Sequence, residues 1–153
     1  MSQIKKIIII LTILSLTFSL NAKDKVETSL RPVSTNIPAK VKSALTKLYP
    51  NAKEIKLDKE GKNYEAGFIN NGTKTSVDLD NNGNVLATET EIKISELPKG
   101  VEEFINKNYK EYTITETAKI VSSNGKTTYE AEITKGKKRK DLIFDKDGSL
   151  IKK

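Results

Sequence analysis

Apolar residues along the chain follow a helical period, then a period of two, and the whole pattern then recurs. Val41, Ala44, Leu45 and Leu48 fall at i, i+3, i+4 and i+7, one stripe of a helix opened by Pro38 and stopped by Pro50. Alternation follows. Ile55 and Leu57 alternate with Glu54, Lys56 and Asp58; Tyr64, Ala66 and Phe68 with Glu65 and Gly67; Thr75, Val77 and Leu79 with Ser76 and Asp78; Val85 and Ala87 continue beyond a turn. Glu60-Gly61, Asn71-Gly72 and Asn82-Gly83 punctuate these runs. Asn-Gly between alternating runs predicts tight hairpins, because such turns need positive φ. The expected unit is a helix followed by three or four antiparallel strands. One sheet face is apolar and covered by the helix; the other faces water.

The same text recurs downstream. Ile37-Pro38-Ala39-Lys40-Val41 aligns with Leu97-Pro98-Lys99-Gly100-Val101, Leu45 with Ile105, and Tyr49 with Tyr109. Tyr64-Glu65-Ala66 matches Tyr129-Glu130-Ala131, and Val77, Leu79, Asp80 and Gly83 match Leu142, Phe144, Asp145 and Gly148. Asn124-Gly125, Lys135-Gly136 and Asp147-Gly148 repeat the turns. In the second helical stripe Val101, Phe104 and Ile105 are apolar and Asn108 is not, so its last turn is expected to be less buried. A short insertion in the second copy falls near Glu111 to Glu116. The expected fold class is α+β, a tandem repeat of helix plus antiparallel meander sheet. Residues 37–94 form the first repeat and 95–153 the second.

Upstream, Lys5 and Lys6 precede an uncharged run from Ile7 to Leu20, and Leu20-Asn21-Ala22 offers a small residue for cleavage. That is the layout of a secretory signal peptide over residues 1–22. The run is interrupted by Thr12, Ser15, Thr17 and Ser19, and a membrane span needs roughly 20 apolar residues. The expectation is a periplasmic or secreted protein with no membrane span after cleavage and a flexible lead-in over 23–36. The chain has no Cys and no His. Disulfides, zinc sites built on those ligands, and Ser-His-Asp or Cys-His catalysis are therefore excluded. The net charge of +7 is spread along the chain, which favours solubility over a nucleic-acid site.

A signal peptide followed by two copies of apolar-Pro, helix, aromatic, strand, Tyr-Glu-Ala, hairpin and apolar-x-apolar-Asp-x-x-Gly resembles the PepSY-like family. That family is similar in fold to the β-lactamase inhibitory protein. The resemblance covers about residues 37 to 151. It implies an exported, noncatalytic module that binds or inhibits another protein through its sheet surface; the partner is expected to be periplasmic or extracellular, and the chain itself is expected to be a monomer. No inhibitory residue carries over to this chain, and no cofactor is expected.

Several residues invite chemistry. Asp78, Asp80, Asn82, Gly83 and Glu89 sit at positions 1, 3, 5, 6 and 12 of a calcium-loop template. The flanks read as strands rather than helices, and Ile143 replaces Asp78 in the second copy, so a plain hairpin turn is the competing reading. A calcium-binding or envelope-associated structural protein is the alternative function. Glu65 and Glu130, each between Tyr and Ala, are a repeated carboxylate pair. They are suited to acid–base work on a sugar only if a pocket brings them together, and to a surface strand otherwise. The basic run Lys135 to Lys140, with Arg139, reads either as a cationic contact hairpin or as a solvated edge. Ile69, Val121 and Ile143 fall by alternation on the polar faces and are candidates for a contact patch.

Overall fold

The computed structural model describes residues 37–152. The expected signal peptide and lead-in lie outside the described residues. Two helices, α1 (Ala39–Leu48) and α2 (Val101–Asn108), accompany eight strands: β1 (Lys53–Glu60), β2 (Asn63–Asn70), β3 (Thr73–Leu79), β4 (Val85–Glu91), β5 (Thr113–Ser122), β6 (Thr127–Lys135), β7 (Lys138–Phe144) and β8 (Leu150–Lys152). The strands lie side by side in chain order in one antiparallel sheet. Two separate sheets were expected. They are joined because β4 pairs with β5, from Ala87 opposite Ser122 to Glu91 opposite Ala118. The joint is reinforced where the chain leaves β4. Buried Thr117 donates its hydroxyl to the Ile92 carbonyl at 2.7 Å, and the Ile92 N–H returns a bond to the Thr117 carbonyl at 3.0 Å.

Each helix lays a short apolar stripe on the sheet. Val41 and Leu45 pack with Tyr64, Ala66, Phe68, Val77 and Leu79; Val101 and Ile105 pack with Ala131, Ile133, Leu142 and Phe144. Directly paired residues share a face. The register runs Val77–Thr88–Val121–Thr127 across β3 to β6, so both clusters occupy the same side of the sheet. We call this the helix face and its reverse the open face. Leu48, expected at the end of the first stripe, is 50% exposed. Tyr49, which ends the helix, takes the place over the sheet. Its ring lies 4.6 Å from that of Phe68, and its hydroxyl is 3.5 Å from the Thr88 hydroxyl. Asn108 is exposed, as anticipated, and donates its amide to the Phe104 carbonyl. Tyr129, paired with the exposed Lys119, is only partly buried and stands outside the core cluster.

The hairpins show why particular glycines are needed. Asn71 and Gly72 both have positive φ, as a primed two-residue turn demands. Gly83 and Gly148 face an additional constraint. A Cβ on Gly83 would lie 2.8 Å from the Lys40 carbonyl oxygen and 2.9 Å from the Ala44 Cβ; one on Gly148 would lie 2.5 Å from the Lys99 carbonyl oxygen. Each of these turns is pressed against the start of its helix, locking helix to sheet. Gly83→Ala and Gly148→Ala should each cost about 2–4 kcal/mol, combining left-handed backbone strain with overpacking. Gly72→Ala, which meets open space, should cost about 1 kcal/mol. Denaturant midpoints of the three variants check the ranking.

Candidate functional site

The open face carries an acidic groove of about 330 Å³, near the lower end of the range for ligand sites. Its floor is low because small side chains stand where the strands cross it. Gly67 on β2 pairs with Ser76 on β3, Ser76 with Glu89 on β4, and Glu91 at the end of β4 with Ala118 on β5. Eight of the lining side chains are carboxylates and two are lysines, although the chain as a whole is net positive. Two cations here already have carboxylate partners. Lys74 Nζ lies 3.8 Å from both Glu91 and Glu116, and Arg139 Nε lies 3.0 Å from Glu132.

Glu89 is deeply withdrawn from water. Its Oε2 is sealed from solvent and has no hydrogen-bond partner among the described residues. Burial first, then the neighbouring charges of Glu130, Glu65, Glu116 and Asp78, push its pKa up to about 9. Burial, followed by Asp78, Glu60 and Asp58, raises Glu65 to about 7. Burial, then Glu60, raises Asp78 to about 6. Glu116 is raised as well, mainly by burial, with Lys74 acting against it. Carboxylate oxygens of Glu60, Glu65 and Asp78 come within 4.8 Å of one another. The like charges of neighbouring acids add to burial in raising Glu65 and Asp78.

The structure redistributes the residues singled out in the sequence. Glu65 and Glu130, expected on separate sheets, line one groove because the sheet is continuous. Ile69 lines it too, and Ile143 pairs with Glu130 on the same face. Val121 does not belong with them. It pairs with Thr88 and Thr127, which puts it on the helix face, 39% exposed. Its neighbour Ile120, opposite Glu89, holds the open-face position instead. Arg139 is tied to Glu132 on β6, and Lys135 to Glu111 in the turn before β5, so the basic hairpin is partly neutralised by neighbouring carboxylates.

The calcium template does not form a cage. Asp80 Oδ1 accepts the N–H groups of Asn82 and Asn84, and its Oδ2 accepts Asn84 Nδ2, so the carboxylate serves its own turn. These bonds, led by the Asn84 side chain, hold its pKa below the usual carboxylate range. Asp145 takes the N–H groups of Asp147 and Ser149 in the same way. Asn82 instead meets Lys40, while Asp78 and Glu89 belong to the open face. Glu89 entered the sequence reading only as the twelfth position of that template. Its place in the groove follows from the β4–β5 register, which alternation within single strands does not contain.

A family model described as "Putative beta-lactamase-inhibitor-like, PepSY-like" matches residues 23–86 and again 62–152. The chain belongs to this PepSY-like family. Among solved structures, a "BLIP-like protein" from Bacteroides fragilis is 33% identical with a TM-score of 0.58, covering 75% of this chain and 84% of that one. A DUF2874 family protein from Bacteroides uniformis is 22% identical, TM-score 0.64, covering 75% and 86%. A protein from Bacteroides eggerthii, described as one of the "putative periplasmic proteins", is 19% identical, TM-score 0.67, covering 76% and 87%, a likeness of fold alone. No curated protein matches the chain.

The proton-holding carboxyls make stability depend on pH. Folded Glu89 keeps its proton well above 4.5, where the unfolded chain has already lost it, so the folded state binds more protons and stability falls as pH rises from about 4.5 towards about 9. Glu89→Gln, which mimics the protonated form, should flatten this slope. Allowing for solvent screening, it should be more stable than the parent by about 2 kcal/mol at pH 8 and little changed at pH 4. Thermal melts of both proteins across that range check the sign.

Proposed function

We propose that this protein is an exported, noncatalytic binding module that grips a protein partner with the open face of its sheet. The observation that carries this reading is the groove. It lies on the one face that the two helices leave uncovered, and it places polar and apolar side chains, Ile69 among them, around a low floor. Family membership supports a noncatalytic role, and the signal-peptide layout supports export. No helix among the described residues is long and apolar enough to cross a membrane. The doubled unit, residues 37–94 and 95–153 with one helix and four strands each, is read as the means of building a sheet wide enough to hold such a face.

Gly67→Trp places an indole in the groove from the middle of β2 and should leave the fold intact, since Gly67 points to the open face. The protein immobilised as bait should retain a specific envelope protein from the parent cell, and Gly67→Trp should lose at least nine-tenths of it. Equal capture by both would refute use of this face. The acid–base alternative for Glu65 and Glu130 would instead show turnover of a glycan substrate that Glu130→Gln abolishes.

A further inference from the structure

We propose that the groove receives a Lys or Arg side chain carried on an exposed segment of the protein partner, its cationic head taken by the Glu89 carboxylate above the small floor residues Gly67 and Ser76. This assignment rests on the sheet-face binding reading and names the chemistry of what is gripped. The first support is charge. Carboxylates outnumber lysines eight to two around the groove, on a chain that is otherwise net positive, so the face selects for cations against the charge of its own molecule. The second is that two of the protein's own cations beside the groove, Lys74 and Arg139, already have carboxylate partners. Lys74 is shared by Glu91 and Glu116 at the rim, and Arg139 is held by Glu132. The third is the condition of Glu89 itself. It lines the groove with one oxygen sealed and without a hydrogen-bond partner among the described residues, which is costly unless a donor arrives or a proton is kept. The fourth is room. Gly67 and Ser76 stand beside Glu89 in the register, where larger side chains would fill the space an incoming guanidinium or ammonium needs.

Metal binding is the less favoured occupant. The three carboxylates whose oxygens converge are Glu60, Glu65 and Asp78, and this trio does not include Glu89. A Lys or Arg head needs only one or two acceptors and brings its own donors.

The exchange of a proton for a cation gives the proposal a distinctive signature. The titratable groups acting on Glu89 are Glu65 on β2, Asp78 on β3, Glu116 on β5 and Glu130 on β6, all acidic, with Lys74 on β3 and Lys56 on β1 the two lysines of the groove. At neutral pH the empty groove therefore stores protons, and an entering cation displaces them. Affinity for a basic probe should rise from pH 6 to pH 8, and binding at pH 8 should release about one proton, read as a dependence of the binding heat on buffer ionisation enthalpy.

The probe is a fluorescein-labelled hexa-arginine peptide, measured by anisotropy on the purified protein, with the hexa-citrulline peptide as the uncharged counterpart. The arginine peptide should bind and the citrulline peptide should not. The double variant E65Q/E89Q should weaken binding at least tenfold and abolish proton release. The double variant E102Q/E103Q, which removes the same charge from exposed positions on α2, should bind within twofold of the parent. Equal weakening by both pairs, or no weakening by E65Q/E89Q, overturns the proposal. So does loss of peptide binding in millimolar calcium at constant ionic strength, which would assign the groove to the metal. The underlying reading fails separately. If Gly67→Trp loses the envelope partner while E65Q/E89Q retains it, the sheet face binds and the cation assignment is wrong; if both retain it, the sheet-face reading is wrong as well.

Discussion

The pairing of β4 with β5 is the interaction on which the remaining structure depends. Each helix and the strands that follow it bury their own apolar cluster, and neither cluster includes residues from the other. What unites them is a five-residue ladder, Ala87 to Glu91 against Ala118 to Ser122, secured where buried Thr117 clasps Ile92. That ladder sets both helices on one side. It leaves the opposite side as a single surface wide enough to collect acids from both halves of the chain.

The cost of that collection is electrostatic. Glu65, Asp78 and Glu89 are withdrawn from water and set near one another, and their pKa values rise together in consequence. A sheet built only for stability would place Lys opposite Glu on neighbouring strands, as Lys74 and Glu91 do at the rim. In the groove itself Glu65 faces Asp78 directly, and Glu89 faces Ser76 and Ile120. Burial and like charge at this place disfavour the ionised forms of these acids.

Much of the architecture could be read before any coordinates. Alternation assigned the helix-face residues of β2, β3 and β7, and the Asn-Gly turns located the hairpins, because both signals are carried by residues close in sequence. Failures occurred where distant segments decide. Leu48 lost its place to Tyr49 because the aromatic ring could reach Phe68. Val121 was assigned to the wrong face because its orientation depends on its register with Thr88, a residue of the other half. The calcium template is a local pattern, and its Asp80 accepts hydrogen bonds from the backbone of its own turn.

The sequence by itself determined the helical and alternating periods along the chain, the family, the absence of thiol and imidazole side chains, and the alternation that makes one sheet face apolar and the other polar. These are properties of local periodicity and composition. Only the tertiary structure decided that β4 and β5 join in one sheet, and hence that Glu116 and Glu130 act on Glu89 beside Glu65 and Asp78. The physical reason is that electrostatic coupling and desolvation depend on distance through space. The strand register that sets those distances is a contact between segments that nothing in either segment alone specifies.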